Sequence, residues 1–424
     1  MTDRTGSTRR PELRRLPGLR RGPGLRRKAA ATPLGALVVA AAVAVVAAAC
    51  SSSPPPGSPA GTGTAPLSVP LSVPLSVPLA SSSSGPATSW ATLAMGHLGE
   101  PDNTFWQMLF RPVGSPSWSL ATPPGVASNG GLVVSIDPSG TVTAGFEPSQ
   151  NLRFSPLAQT PDRGATWSQG LLPAGLAPVP DALASSGDRH HLALLGRHGG
   201  EVVAGGRDLT TWTPLATVAS LSATAAGSAC RITGLTAVAF TAAGDPLVGA
   251  ACGRGSHPGI FESVGGGWRS VGPTLPLPPG PTRVLRLFAT PTGIAALVGS
   301  GPASAPVVSA AWDATGSTVW TASPPLPLAS GRLISTGDTP TGGLIVVSGP
   351  GTGRPTAEVV TPTGGAWLRL PALPAGTSVV AAGPAGTFQA LIADQSTLLV
   401  DTSGPGGWHR TQSLEVDIQY GSSG

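Results

Sequence analysis

The stretch LTAVAFTAAGDPLVGAAC at residues 235–252, followed by GIFESVGGGWRSV at residues 259–271, decides the fold of this chain. The first segment predicts two apolar strands joined by a Gly-Asp turn, and the second predicts a hairpin whose last strand begins at Trp268. Glycine suits the tight turns because it adopts positive φ without a steric penalty. Together the two segments predict one four-stranded antiparallel sheet.

The same order of elements recurs along the chain, and each repeat ends in a tryptophan. These residues are Trp118, Trp167, Trp212, Trp268, Trp320, Trp367 and Trp408, with gaps of 49, 45, 56, 52, 47 and 41 residues. A period of this length with four short strands per repeat is typical of a β-propeller. We expect each indole to pack between neighbouring blades, where a large flat side chain buries the most area.

The repeats are incomplete at both ends of this region. The repeat of Trp118 contains only two fragments, at residues 104–112 and 117–123, and the chain finishes with an unpaired strand at 413–420. We expect these fragments to form one composite blade, which would close the ring and remove exposed strand edges. The sequence therefore predicts an all-β, seven-bladed propeller at residues 89–424, with six blades if the N-terminal fragment packs outside the ring.

The positive charge of the chain is concentrated at its amino terminus. Residues 1–28 have a net charge of +8, whereas the remainder has a net charge of −3. This distribution argues against a nucleic-acid partner, because no basic surface is left for the folded part. The basic block precedes an apolar run at residues 34–49, so residues 1–49 are predicted to be an export signal.

The apolar run ends in Ala47-Ala48-Ala49-Cys50, which resembles a bacterial lipobox. The resemblance implies cleavage before Cys50 and acyl chains on that cysteine. The alternative is an uncleaved transmembrane helix spanning about residues 30–49. Both alternatives place the bulk of the chain on the extracytoplasmic face of the cell membrane. Residues 50–88, rich in Ser and Pro, are predicted to be a disordered linker.

One repeat matches a family motif. The segment TPDRGATW at residues 160–167 resembles the Asp-box, or bacterial neuraminidase repeat, through Thr160, Asp162, Gly164, Thr166 and Trp167. In such a motif the Asp side chain accepts backbone N–H groups within the hairpin and Gly permits a left-handed residue. The resemblance implies a structural turn that lies away from the ligand-binding face.

The same resemblance implies, as an alternative function, a sialidase-like glycoside hydrolase. Such an enzyme would need an arginine triad, an acid and a Tyr nucleophile activated by Glu. Arg111 is a candidate for the triad, and Tyr420 is the sole tyrosine, with Glu415 or Glu262 as its partner. A residue four positions from the end is a poor nucleophile, because chain ends are seldom held rigidly. We therefore assign no catalytic residue.

The segment from residue 96 to residue 111 is the densest mixture of polar and aromatic residues in the chain. Aromatic faces beside hydrogen-bonding groups suit a sugar or a peptide. The candidate ligand-binding residues are His97, Glu100, Asp102, Trp106 and Arg111. The alternative is an N-terminal cap in which Phe105 and Trp106 pack into the composite blade.

Two cysteines remain beyond Cys50, and both belong to the quoted repeat. In an oxidising compartment Cys230 and Cys252 are expected to form a disulfide, the alternative being two buried thiols. The histidine cluster of Asp188, His190, His191 and His198 suits no common chelate, since alternation puts His190 and His191 on opposite strand faces. No metal or cofactor is expected.

These patterns predict a membrane-anchored propeller that binds another envelope protein or a glycan without catalysing a reaction. The chain is expected to be monomeric. A third possibility, an assembly factor resembling the photosystem-associated propellers, rests on analogy of fold alone.

Overall fold

The computed structural model describes residues 78–418, with gaps at 86, 99–102, 124–130, 149–151, 254–257, 279, 291–292, 303, 315–318, 329–331 and 351–353. The predicted signal, Cys50, most of the linker and Tyr420 lie outside the described residues. Among the helices that are described, none is long and apolar enough to cross a membrane.

The described strands form seven successive four-stranded antiparallel units, which we call blades 1 to 7. Blade 1 comprises β1 (Ser81–Ser84), β2 (Thr88–Gly96), β3 (Thr104–Pro112) and β4 (Ser119–Leu120). Blade 2 comprises β5 (Leu132–Ile136), β6 (Val142–Phe146), β7 (Ser155–Thr160) and β8 (Ser168–Leu172). Blade 3 comprises β9 (Leu183–Ser185), β10 (His191–Leu195), β11 (Glu201–Gly205) and β12 (Trp212–Thr217).

Blades 4 to 7 follow in the same order. Blade 4 comprises β13 (Ile232–Phe240), β14 (Pro246–Cys252), β15 (Gly259–Val264) and β16 (Gly267–Ser270). Blade 5 comprises β17 (Thr282–Thr290), β18 (Gly293–Ser300), β19 (Val307–Ala314) and β20 (Trp320–Ala322), with β21 (Leu326–Pro327) also pairing with β19. Blade 6 comprises β22 (Leu333–Asp338), β23 (Leu344–Ser348), β24 (Thr356–Val360) and β25 (Leu368–Arg369). Blade 7 comprises β26 (Thr377–Ala382), β27 (Phe388–Asp394), β28 (Thr397–Gly404) and β29 (Gly407–Glu415).

The quoted stretch forms all four strands of blade 4, as its pattern predicts. The turn between β13 and β14 is closed by Gly244, which has a φ of 89°. Thr241 Oγ1 accepts the Asp245 N–H at 3.0 Å within this turn. Two short helices, α1 (Val218–Ser222) and α2 (Ala225–Cys230), precede the blade. The chain is accordingly an all-β propeller.

The tryptophans lie between blades, and four of their indole N–H groups donate to backbone carbonyls of the preceding blade. The pairs are Trp212 to Leu171 O at 3.1 Å, Trp320 to Val271 O at 2.8 Å, Trp367 to Pro324 O at 2.9 Å and Trp408 to Pro371 O at 3.2 Å. Each acceptor lies in or just after the last strand of its blade. The repeated indole therefore joins neighbouring blades as well as filling space between them.

The predicted composite blade is not formed. Blade 1 draws all four strands from the N-terminal side, and β29 pairs with β28 inside blade 7. The sequence prediction was wrong because β1 fills the position that the C-terminal strand was expected to occupy.

The ring closes instead by backbone and side-chain contacts between blades 1 and 7, including those of Trp118. The Trp118 indole is 1% exposed, and its Nε1 donates to Gln389 Oε1 at 2.9 Å. Gln412 receives the Trp118 N–H at 2.8 Å and donates its Nε2 to Trp118 O at 2.7 Å. Gln389 Nε2 also donates to Pro116 O at 2.7 Å. Trp118 thus bonds to blade 7 as the other tryptophans bond to the blade before them.

Strand β1 lies among the innermost strands, although its Ser-rich sequence predicts part of the linker. It pairs in parallel with β22 through Ser81 and Thr336, and Ser82 Oγ donates to Val380 O of β26 at 3.0 Å. Gly337 allows this approach, because a Cβ there would lie 2.2 Å from Ser82 Oγ. The first strand therefore begins at Ser81, ahead of the predicted domain boundary at residue 89.

The expected disulfide is present and joins Cys230, at the end of α2, to Cys252, at the end of β14. The two cysteines are 22 residues apart. A bridge across a loop of this length is expected to stabilise the fold by about 3 kcal/mol.

We expect a reducing agent to lower the urea midpoint of unfolding, since reduction restores the entropy of the unfolded loop. Equilibrium unfolding with and without dithiothreitol measures the shift. A Cys230→Ser, Cys252→Ser double variant serves as the control, because its midpoint is expected to be low and insensitive to the reductant. Equal midpoints for the oxidised and reduced native protein would contradict this role.

Candidate functional site

An open pocket of about 250 Å³ lies where β22 and β26 begin and β2 approaches its end. We call it the Trp106 pocket. Its lining residues are Ala80, Ala94, Leu98, Trp106, Ile334, Pro350, Pro355, Gly376, Thr377 and Ser378. Three blades and the residue just before β1 therefore contribute to a largely apolar recess, whose polar side chains are Thr377 and Ser378.

The pocket lies at one end of the propeller. Because antiparallel strands alternate in direction, the loops between second and third strands lie at the end where the first strands begin. We call this the pocket end. The hairpins joining first to second and third to fourth strands lie at the opposite end, which we call the hairpin end.

The structure places two of the predicted ligand-binding residues at the pocket end. Trp106 lines the pocket and is partly buried, and its ring also packs against the core, as the capping alternative expects. His97 is exposed in the turn after β2, beside Leu98, which is 57% exposed. Glu100 and Asp102 belong to the same turn in sequence and lie outside the described residues.

Arg111 does not join these residues. It is the next-to-last residue of β3, which runs towards the hairpin end, and it is 2% exposed. Its Nη1 and Nη2 donate to Ser115 O at 2.8 Å and to Ala382 O at 2.6 Å, and its guanidinium lies 5.3 Å from the Trp118 ring centroid. Burial lowers the pKa of Arg111 from its usual value. Arg111 therefore holds blade 1 against blade 7, and its assignment as a ligand-binding residue is corrected.

Those residues proposed for sialidase-like chemistry that the structure describes do not converge. Arg111 is used between blades 1 and 7, whereas Glu262 lies on β15 of blade 4 and pairs with Arg269 at 2.6 Å. Glu415 ends β29, where Thr397 Oγ1 donates to its Oε1 at 2.8 Å. Tyr420 lies outside the described residues.

The Asp-box segment forms the local turn that its sequence predicts. Asp162 Oδ1 accepts the Thr166 N–H at 2.8 Å, and Thr160 Oγ1 accepts the Gly164 N–H at 2.8 Å. Arg163 and Gly164 both have positive φ, of 64° and 88°. Hydrogen bonds from Thr166 and Thr160 lower the pKa of Asp162. The turn joins β7 to β8 and so lies at the hairpin end, opposite the Trp106 pocket.

The predicted histidine cluster is divided between surface and core. His190 is exposed with its Nε2 3.2 Å from Asp188 Oδ2, whereas His191 is 1% exposed and has its Nδ1 3.0 Å from Ser185 Oγ. Burial lowers the pKa of His191 to about 4, so its ring is neutral near pH 7. His198 lies in an exposed turn. Among the described residues no group of three His, Cys, Asp or Glu side chains could hold a metal ion.

Sequence reasoning missed a group of buried charges between the inner strands. Arg286 Nε donates to both carboxylate oxygens of Asp181, at 2.9 and 3.0 Å, and its Nη1 donates to Thr336 Oγ1 at 3.1 Å. Asp338 has no such cation on its oxygens and receives the Ser84 N–H of β1 at 2.8 Å. Burial raises the pKa of Asp338 to about 7. A charged residue inside an apolar strand pattern, as in TRVLRLFAT at 282–290, is the signal that could have indicated this group.

Several solved structures resemble this fold. TolB from Acinetobacter baumannii is 10% identical with a TM-score of 0.38, and the match covers 78% of this chain and 64% of TolB. A putative 6-phosphogluconolactonase from Bacteroides uniformis is 14% identical with a TM-score of 0.45, over 78% of this chain and 97% of that one. A fucose-specific lectin from Aleuria aurantia is 12% identical with a TM-score of 0.40, over 81% and 96%.

These similarities concern the fold alone. No protein-family model matches the sequence, and no curated protein matches it either.

Proposed function

We propose that this chain is a membrane-anchored, extracytoplasmic propeller that binds an envelope protein through the Trp106 pocket and catalyses no reaction. The observation that carries the proposal is the placement of Trp106 at an open recess with apolar walls. Apolar and aromatic walls with a few polar groups suit a ligand held by burial and a small number of hydrogen bonds. Ser378 supplies such a group, which favours a peptide segment with apolar side chains.

The burial of Arg111 supports a binding protein over a sialidase-like enzyme. A guanidinium that binds a substrate carboxylate must have N–H groups that are accessible from solvent. Two of the donor nitrogens of Arg111 are bonded to backbone carbonyls, and Nη2 also lies 3.1 Å from Ser89 Oγ.

We expect Trp106→Ala to remove most of the captured partner when the full-length chain, in mild detergent, is used to pull down proteins from envelope extract. The pocket would lose its largest apolar wall, and aromatic anchors of this kind contribute on the order of 2 kcal/mol or more to binding. Leu368→Ala is the matched control, because Leu368 is 65% exposed on β25, an outer strand. Both variants are first checked for native thermal unfolding. Equal recovery of the partner by both variants would contradict a role for Trp106 in binding.

The anchor is tested separately. We expect mass spectrometry of the mature chain to find an amino terminus at Cys50 carrying acyl chains, and Cys50→Ala to abolish that modification. An intact Met1 terminus would contradict lipidation and favour the uncleaved helix.

A further inference from the structure

A second concave site lies on the flank between blades 6 and 7. This groove has a volume of about 420 Å³, within the range of roughly 300–1,000 Å³ that is common for small-molecule sites. We call it the Trp408 groove. Its lining residues are Arg354, Pro371, Ala372, Leu373, Pro374, Asp401, Gly407 and Trp408.

Trp408 is fixed in this groove by its own hydrogen bond. Its Nε1 donates to Pro371 O at 3.2 Å, across the boundary between the two blades. With the N–H used in this way, the surface that Trp408 offers to a ligand is the ring itself. An apolar ring face held in one orientation suits the C–H face of a flat ligand such as a pyranose.

The groove also presents a hydrogen-bond acceptor of fixed position. Asp401 is 7% exposed, and Arg410 Nε on the neighbouring strand donates to its Oδ1. This pairing holds the carboxylate in place and leaves Oδ2 to accept from a ligand. An ionised carboxylate accepts hydrogen bonds and cannot donate them, so it selects a hydroxyl or an N–H group.

Arg354 gives the groove its charge preference. It is exposed at the start of the segment leading into β24, and none of the ion pairs within the described residues engages its guanidinium. Guanidinium groups bind carboxylates through two parallel N–H···O bonds. A carboxylate on the ligand would therefore be bound at Arg354 while a hydroxyl of the same ligand faces Asp401.

The boundary between blades 5 and 6 shows which of these features are general. Trp367 donates there to Pro324 O, and Glu358 on β24 pairs with Arg369 on β25 at 2.9 Å. The tryptophan and the carboxylate–arginine pair are thus features of the repeat. Arg354 has no counterpart at the boundary between blades 5 and 6, because the corresponding loop of blade 5, at residues 301–306, contains no charged residue.

We propose that the Trp408 groove binds a saccharide unit that carries a carboxylate, with the sugar ring on Trp408, the carboxylate on Arg354 and a hydroxyl on Asp401. This site is separate from the Trp106 pocket and does not depend on it. A chain with both sites would hold an acidic glycan on its flank and an envelope protein at its pocket end.

The test is calorimetric titration of the full-length chain in detergent with a glucuronate-containing oligosaccharide and, in parallel, with a neutral glucose oligosaccharide of equal length. We expect the acidic oligosaccharide to bind and the neutral one to bind at least tenfold more weakly. Arg354→Ala is expected to weaken binding of the acidic oligosaccharide at least tenfold. Arg153→Ala is the matched control, because Arg153 is an exposed arginine in the equivalent loop of blade 2, and it is expected to leave binding unchanged.

Three further variants locate the binding. Trp408→Phe is expected to weaken it, whereas Trp367→Phe and Trp106→Ala are expected to leave it unchanged. Failure of the acidic oligosaccharide to bind would overturn the proposal, as would equal binding of the neutral one or an unaltered affinity in Arg354→Ala. Binding of a carboxylate-bearing peptide in place of the saccharide would overturn the ligand class. None of these failures would alter the expectation for the Trp106 pocket.

Discussion

Trp118→Ala is expected to lower the free energy of unfolding by about 3–5 kcal/mol, the range for truncating a fully buried aromatic side chain. The indole is 1% exposed and packs with residues of blade 7, including Val379, Leu391 and Val400. Its loss would also leave Gln389 Oε1 without the donor that it has at 2.9 Å. No strand is shared between blades 1 and 7, so these contacts help to hold the ring closed, together with the bonds from Arg111 to Ala382 O and from the Gly96 N–H to Gln395 O. Urea unfolding of the variant and the native chain measures the difference.

Trp367→Ala provides the comparison. Trp367 occupies the same position in blade 6, and its indole N–H also donates across a blade boundary, to the backbone oxygen of Pro324, but the residue is partly exposed. Trp367→Ala is therefore expected to lower the free energy of unfolding by clearly less than Trp118→Ala, since less apolar area returns to water. Trp118→Phe keeps most of the packing and is expected to cost roughly 1–3 kcal/mol for the unpaired amide oxygen. Equal destabilisation by Trp118→Ala and Trp367→Ala would argue against a special role for Trp118 in closure.

Asp181→Asn and Asp338→Asn are expected to change stability in opposite directions at pH 8. Asp181 holds the buried guanidinium of Arg286, which is 4% exposed. Removing the carboxylate leaves that buried cation without the partner that accepts its hydrogen bonds, at a cost of about 3–5 kcal/mol. Asp338 lacks such a cation on its oxygens, and burial raises the pKa of its carboxyl to about 7. At pH 8 the native chain must therefore bury a carboxylate that Asp338→Asn replaces with a neutral acceptor for the Ser84 N–H.

The pH dependence of stability follows from the same shift in the pKa of Asp338. The pKa of Asp338 is about 7 when folded and about 3.9 when unfolded, so the folded chain binds more protons between these values. The groups that face this carboxyl are Arg286 and Asp181, together with Ser83 and Ser84 of β1. Stability contributed by the neutral carboxyl is complete below about pH 4 and is lost as the pH rises towards about 7. Between the two pKa values, the contribution of Asp338 to the free energy of unfolding falls by about 1.4 kcal/mol for each pH unit.

Unfolding midpoints of the three proteins from pH 4 to pH 8 test this account. Asp338→Asn is expected to match the native chain near pH 4 and to exceed it above pH 7, while Asp181→Asn stays below it throughout. Asp417→Asn, at an exposed position after β29, serves as a control and is expected to follow the native curve. A difference in stability between Asp338→Asn and the native chain that does not grow between pH 4 and pH 7 would contradict the burial of an ionisable Asp338.

The sequence predicts the elements that depend on local pattern. Strand alternation and Gly turns identify the four strands of blade 4, and the spacing of tryptophans identifies the residues that join blades. The disulfide follows from two cysteines in one repeat. These features are visible because each depends on residues that are near one another in the chain.

Features that depend on distant contacts were not predictable in the same way. A run of four serines has the composition of a linker, and β1 becomes a strand because backbone and hydroxyl partners on β22 and β26 surround it. Arg111 was assigned to a ligand because an arginine beside aromatic residues suits both recognition and packing. The acceptor at Ala382 lies 271 residues away, and it decides between the two. The prediction of a composite blade was wrong for the same reason, since the sequence pattern alone does not show which sheet edge a strand will join.

The central claim is that the bonds from Trp118 to blade 7 contribute to closing the ring. A double-mutant cycle on Trp118→Phe and Gln389→Ala measures that contact directly, because it isolates the coupling between two side chains 271 residues apart in sequence. A coupling energy of roughly 0.5–1.5 kcal/mol, the net contribution of a hydrogen bond between neutral groups, is the expected result. Effects that add within about 0.3 kcal/mol would show that the two residues do not interact and would contradict closure through this pair.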